Sequence, residues 1–117
     1  MTTLTIVIQN ASYESGNKAW HALHFAGAAL TEDMKVQVHL LDDGVEVGRK
    51  NQDAPEGVVN LEELLRELIE CGLEVRACGM SLDDCFIDEA SMMEGIERGS
   101  MKALEAWVKD SDQVMVF

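Results

Sequence analysis

Short apolar runs of strand-forming residues alternate along the chain with longer segments in which apolar residues recur every three or four positions. The runs at residues 4–8, 35–41, 73–78 and 113–117 are rich in Val, Ile and Leu, and each predicts a β-strand. Residues 79–99 have no clear period. We expect one short helix and one short strand within them, with the helix near residues 89–94.

The longer segments predict three helices, each with its own start or stop signal. The first covers residues 16–30 with Ser15 as its cap and Trp20, Leu23, Gly27 and Leu30 on one face. The second follows Asn60, which pairs with Glu63 as a capping box, and Gly72 ends it. The third covers residues 100–109, and residues 42–50 predict a further short helix. The apolar positions expected to face the core in the second and third helices are Leu61, Leu64, Leu65, Leu68 and Ile69, and Met101, Leu104, Trp107 and Val108.

Alternating strands and helices are typical of a mostly parallel sheet with helices on both faces. We therefore predict a single domain over residues 1–117, built as a three-layer α/β/α sandwich around about five strands in a flavodoxin-like layout. Right-handed crossovers place the segments that follow each strand at one edge of such a sheet. Open α/β sheets bind ligands at that edge, so residues there are the first candidates for chemistry.

The chain is strongly acidic, with 22 Asp and Glu against 9 Lys and Arg and a net charge of −13. Phosphate backbones and anionic lipids would be repelled, so nucleic acid and membrane are excluded as partners. The N-terminus lacks the basic segment of a signal peptide, and we expect a cytoplasmic protein. The charge is most simply a solubility feature, while the acidic stretch from Asp83 to Glu97 offers a docking surface for a basic partner.

Cofactor and metal sites have little support. The first strand–helix loop has one glycine and no phosphate-binding motif, which argues against a nucleotide or flavin, and a receiver-type acidic pair is missing. His21 and His24 lie on one helix face, but no third ligand is near in sequence. The three cysteines form no C-x-x-C pair, so we expect reduced thiols and neither a metal nor a cofactor.

Cys78 is the best candidate for chemistry because it ends a predicted strand and precedes Gly79. Unpaired backbone amides of the expected loop would stabilise a thiolate there, although Asp83 and Asp84 oppose this by their charge. On grounds of access we expect Cys78 to react fastest of the three thiols. Cys71 is interpreted as a small buried hydrophobe, and Cys85 as either a second thiol or a partly buried anchor.

The chain resembles the DsrE/DsrF-like family of sulfur-metabolism proteins, most closely its YchN-like branch, over nearly its whole length. The resemblance rests on residues 4–13, 35–43, 57–68 and 75–78, and on the terminal segments 95–107 and 112–117. It implies the DsrEFH-like sheet. It also implies that the cysteine matching Cys78 accepts a sulfane sulfur as a persulfide and passes it to a partner protein. The branch carries a second cysteine three residues later, where this chain has Ser81.

The resemblance thus favours a sulfur carrier of the sulfurtransferase type, without a cofactor and with sulfur donor and acceptor proteins as partners. Gly79 and Ser81 would support the anion, and Tyr13 and Asn10 would line the pocket. We also expect a homo-oligomer, a trimer or hexamer, with residues 79–99 in the interface. Its apolar side chains, with the Trp107 helix, are Met80, Phe86, Ile87, Met92, Met93 and Ile96. The alternative is an oligomeric scaffold or regulator of the same fold without covalent chemistry.

Overall fold

A computed structural model describes residues 1–13 and 17–117 and places five strands in one sheet. All of the strand pairs are parallel, and the order across the sheet is β4-β3-β2-β1-β5. The predicted α/β class and five-stranded parallel sheet are therefore confirmed. The strands are β1 (Thr3–Ile8), β2 (Lys35–Leu40), β3 (Glu74–Cys78), β4 (Ile96–Gly99) and β5 (Gln113–Val116).

Four α-helices connect these strands: α1 (Lys18–Thr31), α2 (Leu61–Glu70), α3 (Gly79–Asp84) and α4 (Met101–Asp110). Two 3₁₀ segments, Asp42–Gly48 and Glu89–Ser91, complete the described elements. The predicted cap Ser15 and the predicted first residue Gly16 lie outside the described residues. Leu41 precedes the first 3₁₀ segment without a side-chain cap, and Asp42 and Asp43 belong to the first turn.

Helix α2 begins and ends as its sequence predicts. The side-chain oxygen of Asn60 accepts a hydrogen bond from the backbone N–H of Glu63 at 3.1 Å, which satisfies one of the free amides of the first turn. Gly72 has φ of 107°, a left-handed conformation that glycine adopts without the strain of a side chain. The helix therefore stops there, and β3 begins two residues later.

Helix α1 packs through its predicted face together with a row of small residues. Leu23 is buried, and Trp20 and Leu30 are half-buried and pack against the core. The approach to α2 is close, because a Cβ atom on Gly27 would lie 3.3 Å from Leu68. Such close packing favours alanine over larger side chains, and the buried positions besides Leu23 are Ala19, Ala22, Ala26 and Ala29.

The two faces of the sheet are covered by different helices, because the chain reverses its direction across the sheet after β4. The two faces also differ in chemistry. The steps from β1 to β4 all run one way, and right-handed crossovers place α1 and α2 over one face. The return from β4 to β5 places α4 over the other face. The face under α1 and α2 is apolar, with Leu4, Ile6, Ile8, Val36, Val38, Leu40, Val75 and Ala77. The face under α4 carries Thr5, Gln37, His39, Arg76 and Cys78.

Residues 79–99 differ most from expectation. The predicted loop after Cys78 is instead α3, which starts at Gly79 and buries Leu82. One and a half turns are too short for a helical period to be visible in the sequence. In α4, Leu104 and Trp107 are buried as predicted, whereas Met101 and Val108 are exposed.

No helix within the described part of the chain is both long enough and apolar enough to cross a membrane.

Candidate functional site

Cys78 is the last residue of β3 and lies immediately before the first residue of α3. It therefore lies at the carboxyl edge of the sheet, as predicted, and next to backbone amides of a helical first turn that have no acceptor within the helix. Its surroundings are not an open loop. Cys78 is only 1% exposed, so the expectation of an accessible thiol is wrong for the isolated chain, because a helix follows the strand directly.

A guanidinium group lies close to this strand end, because Gly79 has no side chain that would exclude it. A Cβ atom at position 79 would lie 2.7 Å from the Cζ atom of Arg98, which is nearer than real side chains approach. Arg98 therefore packs against the backbone of Gly79, beside Cys78. Glycine at this position is needed for the close approach of an arginine and not for a special backbone angle.

Two carboxylates hold Arg98 in this position. Its Nη2 atom lies 3.0 Å from Oδ2 of Asp83, and its Nη1 atom lies 2.8 Å from Oε1 of Glu89. These hydrogen bonds raise the pKa of Arg98 above its ordinary value. The acidic stretch after Asp83 is thus partly neutralised by an arginine from β4. As a docking surface it is less acidic than its sequence indicates.

Ser81 is buried and faces the neighbouring segment after β2. Its hydroxyl oxygen accepts a hydrogen bond from the backbone N–H of Asp42 at 2.8 Å. Asp42 has φ of 51°, so this bond supports a left-handed residue at the start of the 3₁₀ segment. Ser81 therefore has a structural role in joining two strand ends, beside the anion-supporting role expected from sequence.

His39 lies on the same face as Cys78, and its role was missed at the sequence level. It is 0% exposed, and neither ring nitrogen has a hydrogen-bond partner among residues 1–13 and 17–117. Burial lowers the pKa of this imidazole, and the charge of Arg76 lowers it further. The signal available in the sequence was the alternation of Gln37 and His39 with Val36, Val38 and Leu40, which gives β2 one polar face.

The other two thiols lie in different environments from Cys78. Burial raises the pKa of Cys85, and the nearby carboxylates of Asp43 and Glu46 raise it further. Cys85 is half-buried, as one of its two interpretations expected. Cys71 is exposed at the end of α2, so its interpretation as a buried hydrophobe is wrong. It follows the last helical residue.

Tyr13 lines a cleft that Cys78 does not line. The cleft has a volume of about 940 Å³ and is bordered by Tyr13, Arg49 and Lys50 among others. The Tyr13 hydroxyl donates to Oε1 of Gln52 at 3.0 Å and accepts from the backbone N–H of Leu61 at 3.0 Å. Tyr13 thus anchors the segment before α2. Asn10, the other predicted pocket residue, is half-buried just beyond β1.

Metal-binding groups do not gather in the part of the chain that the structure describes, where no cluster of three or more His, Cys, Asp or Glu side chains is suited to a metal ion. His21 and His24 are exposed on α1, and the ring of His24 packs 4.0 Å from that of Trp20.

Two exposed apolar side chains lie on α3 and just beyond it. Met80 is 69% exposed and Phe86 is 95% exposed, and Phe86 also has φ of 56°, which is unusual for an aromatic residue. Other apolar residues of the expected interface belong instead to the core of the chain itself. Ile87, Met92 and Met93 are buried, and Ile96 is half-buried.

Comparison with known proteins agrees with this fold. The model of the DsrE/DsrF-like family matches residues 3–117. An uncharacterized protein of Methanopyrus kandleri, MK0008, is 42% identical over 97% of this chain and 93% of its own length. Another from Methanocaldococcus jannaschii, MJ0989, is 39% identical over 97% of each chain.

Solved structures agree as well. The crystal structure of the YchN protein from Escherichia coli superimposes with a TM-score of 0.91 at 26% identity and covers 100% of both chains. MTH1491 of Methanobacterium thermoautotrophicum, a protein of unknown function, superimposes with a TM-score of 0.80 at 13% identity over 98% of this chain and 99% of its own, which supports the fold alone. With its family match, its close relatives and its sheet in agreement, the chain belongs to the DsrE/DsrF-like family, with YchN among its relatives.

Proposed function

We propose that this protein carries sulfane sulfur as a persulfide on Cys78 and passes it from a donor protein to an acceptor protein. The observation that carries the proposal is the position of Cys78 at the carboxyl end of β3, directly before α3, in a chain of the DsrE/DsrF-like family. Family membership suggests sulfur relay. The strand end supplies a cysteine at the edge of the sheet where α/β proteins place their chemistry.

The exchange needs no external oxidant or reductant. The Cys78 thiol loses its proton, and the thiolate attacks the outer sulfur of a donor persulfide, R–S–SH. One S–S bond forms on Cys78 while the S–S bond of the donor breaks, and the donor leaves as a thiolate that takes up a proton. Transfer to the acceptor repeats the same exchange in the other direction, with the acceptor thiolate attacking the outer sulfur on Cys78.

Backbone N–H donors follow Cys78 directly in the chain. The free amides of the first turn of α3, beginning at Gly79, are donors next to the thiol. The guanidinium of Arg98 packs against the backbone of Gly79 from the opposite face of the sheet, where it is paired with Asp83 and Glu89. Ser81 can also donate its hydroxyl proton, since its hydrogen bond with Asp42 uses the oxygen as an acceptor.

The burial of Cys78 means that exchange requires a local opening of the chain. The thiol lies in the layer under α4, so this opening moves α4 away from the sheet. Met80 on α3 and Phe86 just beyond that helix are exposed apolar groups that a partner would cover. We propose these two residues as the contact surface for a second copy in a cytoplasmic homo-oligomer, a trimer or hexamer.

The direct test is a mass measurement after incubation with polysulfide. Because Cys71 is exposed and would react by itself, the background is the double variant Cys71→Ser, Cys85→Ser, in which Cys78 is the one remaining thiol. We expect a gain of about 32 Da that reductant removes. The matched triple variant, which adds Cys78→Ser, should gain nothing. A double variant that gains no sulfur would refute the carrier function.

The low exposure of Cys78 also favours a second function, that of an oligomeric scaffold or regulator in which this thiol only packs. The two functions differ in the uptake of sulfur on Cys78. A carrier takes up sulfur there and loses this uptake after Cys78→Ser, whereas a scaffold takes up none on Cys78. Assembly is unchanged by Cys78→Ser in both cases.

A further inference from the structure

His39 has an environment that its own fold does not explain. Its ring is fully buried, and both nitrogens lack a hydrogen-bond partner within the part of the chain that the structure describes. A buried polar group without a partner costs about 1–3 kcal/mol. Nearly all such groups in folded proteins are paired, and the exceptions call for a specific reason. An apolar residue at position 39 would avoid this cost, so the imidazole has another use.

The ring extends from β2 across β3 towards β4. Its Cε1 atom would lie 3.2 Å from a Cβ atom at Gly99, a residue of β4, although β3 lies between these strands. Adjacent strands are about 4.8 Å apart, so the imidazole must lie over β3. His39 is paired in register with Arg76, and Cys78 is the next residue of β3 on that face. The ring and the thiol are therefore neighbours in one buried layer.

We propose that the imidazole of His39 binds the sulfane sulfur carried by Cys78. The inference rests on the proposed carrier function. A persulfide lengthens the cysteine side chain by one S–S bond of about 2.05 Å, within the same layer. The terminal sulfur accepts a hydrogen bond from the ring N–H. The carried sulfur is thus the hydrogen-bond partner that His39 lacks in the chain without persulfide.

The layer that contains His39 and Arg76 suits an anionic sulfur, and it would repel a second cation. Desolvation and Arg76 lower the pKa of His39, so the ring is neutral and presents one N–H donor and one acceptor. Arg76 supplies positive charge on the same face, next to the ring. Its Nε atom is 3.8 Å from Oε2 of Glu97, which is largely exposed, and its guanidinium lies 4.3 Å from the centre of the Trp107 ring.

The test measures how sulfane sulfur distributes at equilibrium between Cys78 and glutathione, with glutathione persulfide as the probe. The background is again Cys71→Ser, Cys85→Ser. Adding His39→Leu removes the donor while keeping the site apolar, and we expect the partition towards Cys78 to fall about tenfold, the effect of losing one hydrogen bond to a charged group. His39→Gln, which retains an N–H donor, should restore part of it.

The outcomes separate the inference from the function it rests on. If the background protein takes up no sulfur, the carrier function fails and the inference fails with it. If it takes up sulfur and a folded His39→Leu protein has a partition within about twofold of the background, only the inference is wrong. Should His39→Leu not fold, the imidazole N–H resonance of the background protein decides: loading must shift it, and an unchanged resonance refutes the proposal.

Discussion

The guanidinium of Arg98 packs against the backbone of Gly79, so closely that any side chain at position 79 would overlap it. This contact joins the end of β4 to the start of α3. Arg98 and Gly79 are 19 residues apart in the sequence, a separation at which no local motif could reveal their contact.

Gly79→Ala should displace Arg98 and leave the stability of the fold nearly unchanged. The overlapping atoms are the far end of a flexible side chain, and its ion pairs are exposed to water, so their loss costs little. Gly44→Ala is the matched contrast, because its Cβ would overlap the backbone carbonyl of Ile8, which cannot move aside. We expect a loss of about 3 kcal/mol there. Equal losses in urea unfolding of the two variants would contradict this account.

His39 should make the stability of the protein depend on pH. Its pKa is lowered in the folded chain, so the unfolded state takes up a proton first as pH falls through about 6.5. The free energy of unfolding should therefore decrease below that pH, by up to about 1.4 kcal/mol for each pH unit, until the folded ring also titrates. The charged groups that the strands place on the same face are Lys35, Glu74, Arg76 and Glu97.

His39→Leu is the control for this dependence, measured by urea unfolding between pH 7.5 and 5.5. The variant should lose the component that His39 contributes and should be at least as stable as the wild type at pH 7, because an unpaired buried imidazole is removed. A pH dependence identical in the two proteins would show that another group causes it.

The three thiols should react with iodoacetamide in the order of their exposure. Cys71 is exposed and should be labelled first, while Cys85 is slowed by its raised pKa, since the thiolate is the reactive form. Cys78 should be labelled last in the native protein and at the rate of the others in denaturant. Peptide mass mapping over time measures this order. Rapid native labelling of Cys78 would mean that the layer under α4 opens readily.

Phe86 should influence assembly more than folding. Its side chain is 95% exposed and its backbone is left-handed, so Phe86→Asn removes an apolar surface and places a residue that tolerates this conformation. We expect unchanged or slightly higher stability of the chain and a smaller assembly by light scattering. Ala90→Asn, at an exposed position within the second 3₁₀ segment, is the control. An unaltered assembly in the Phe86 variant would exclude this residue from the interface.

Periodicity was sufficient to predict most of the fold. Runs of Val, Ile and Leu located four of the five strands, and Asn60 and Gly72 bounded α2 correctly, because these signals act within a few residues. Helix α3 could not be predicted in this way, since six residues do not complete two turns. Its stability depends on burial of Leu82 against distant segments.

The site was predictable only in part for the same reason. The position of Cys78 at a strand end follows from local pattern, and the structure agrees with it. The burial of Cys78, the neighbourhood of His39 and the packing of Arg98 depend on strand order and on which helix covers which face. Contacts between segments that are distant in the sequence determine these features, and the pattern of neighbouring residues does not reveal such contacts.

Helix α4 connects the two outermost strands of the sheet, β4 and β5, and it is the helix above the polar layer that holds Cys78 and His39. A displacement of α4 would therefore disturb both outermost strands at once. Exposure of the Cys78 thiol is coupled to the stability of β4 and β5. A partner that binds α4 would therefore keep the thiol buried and stabilise both strands.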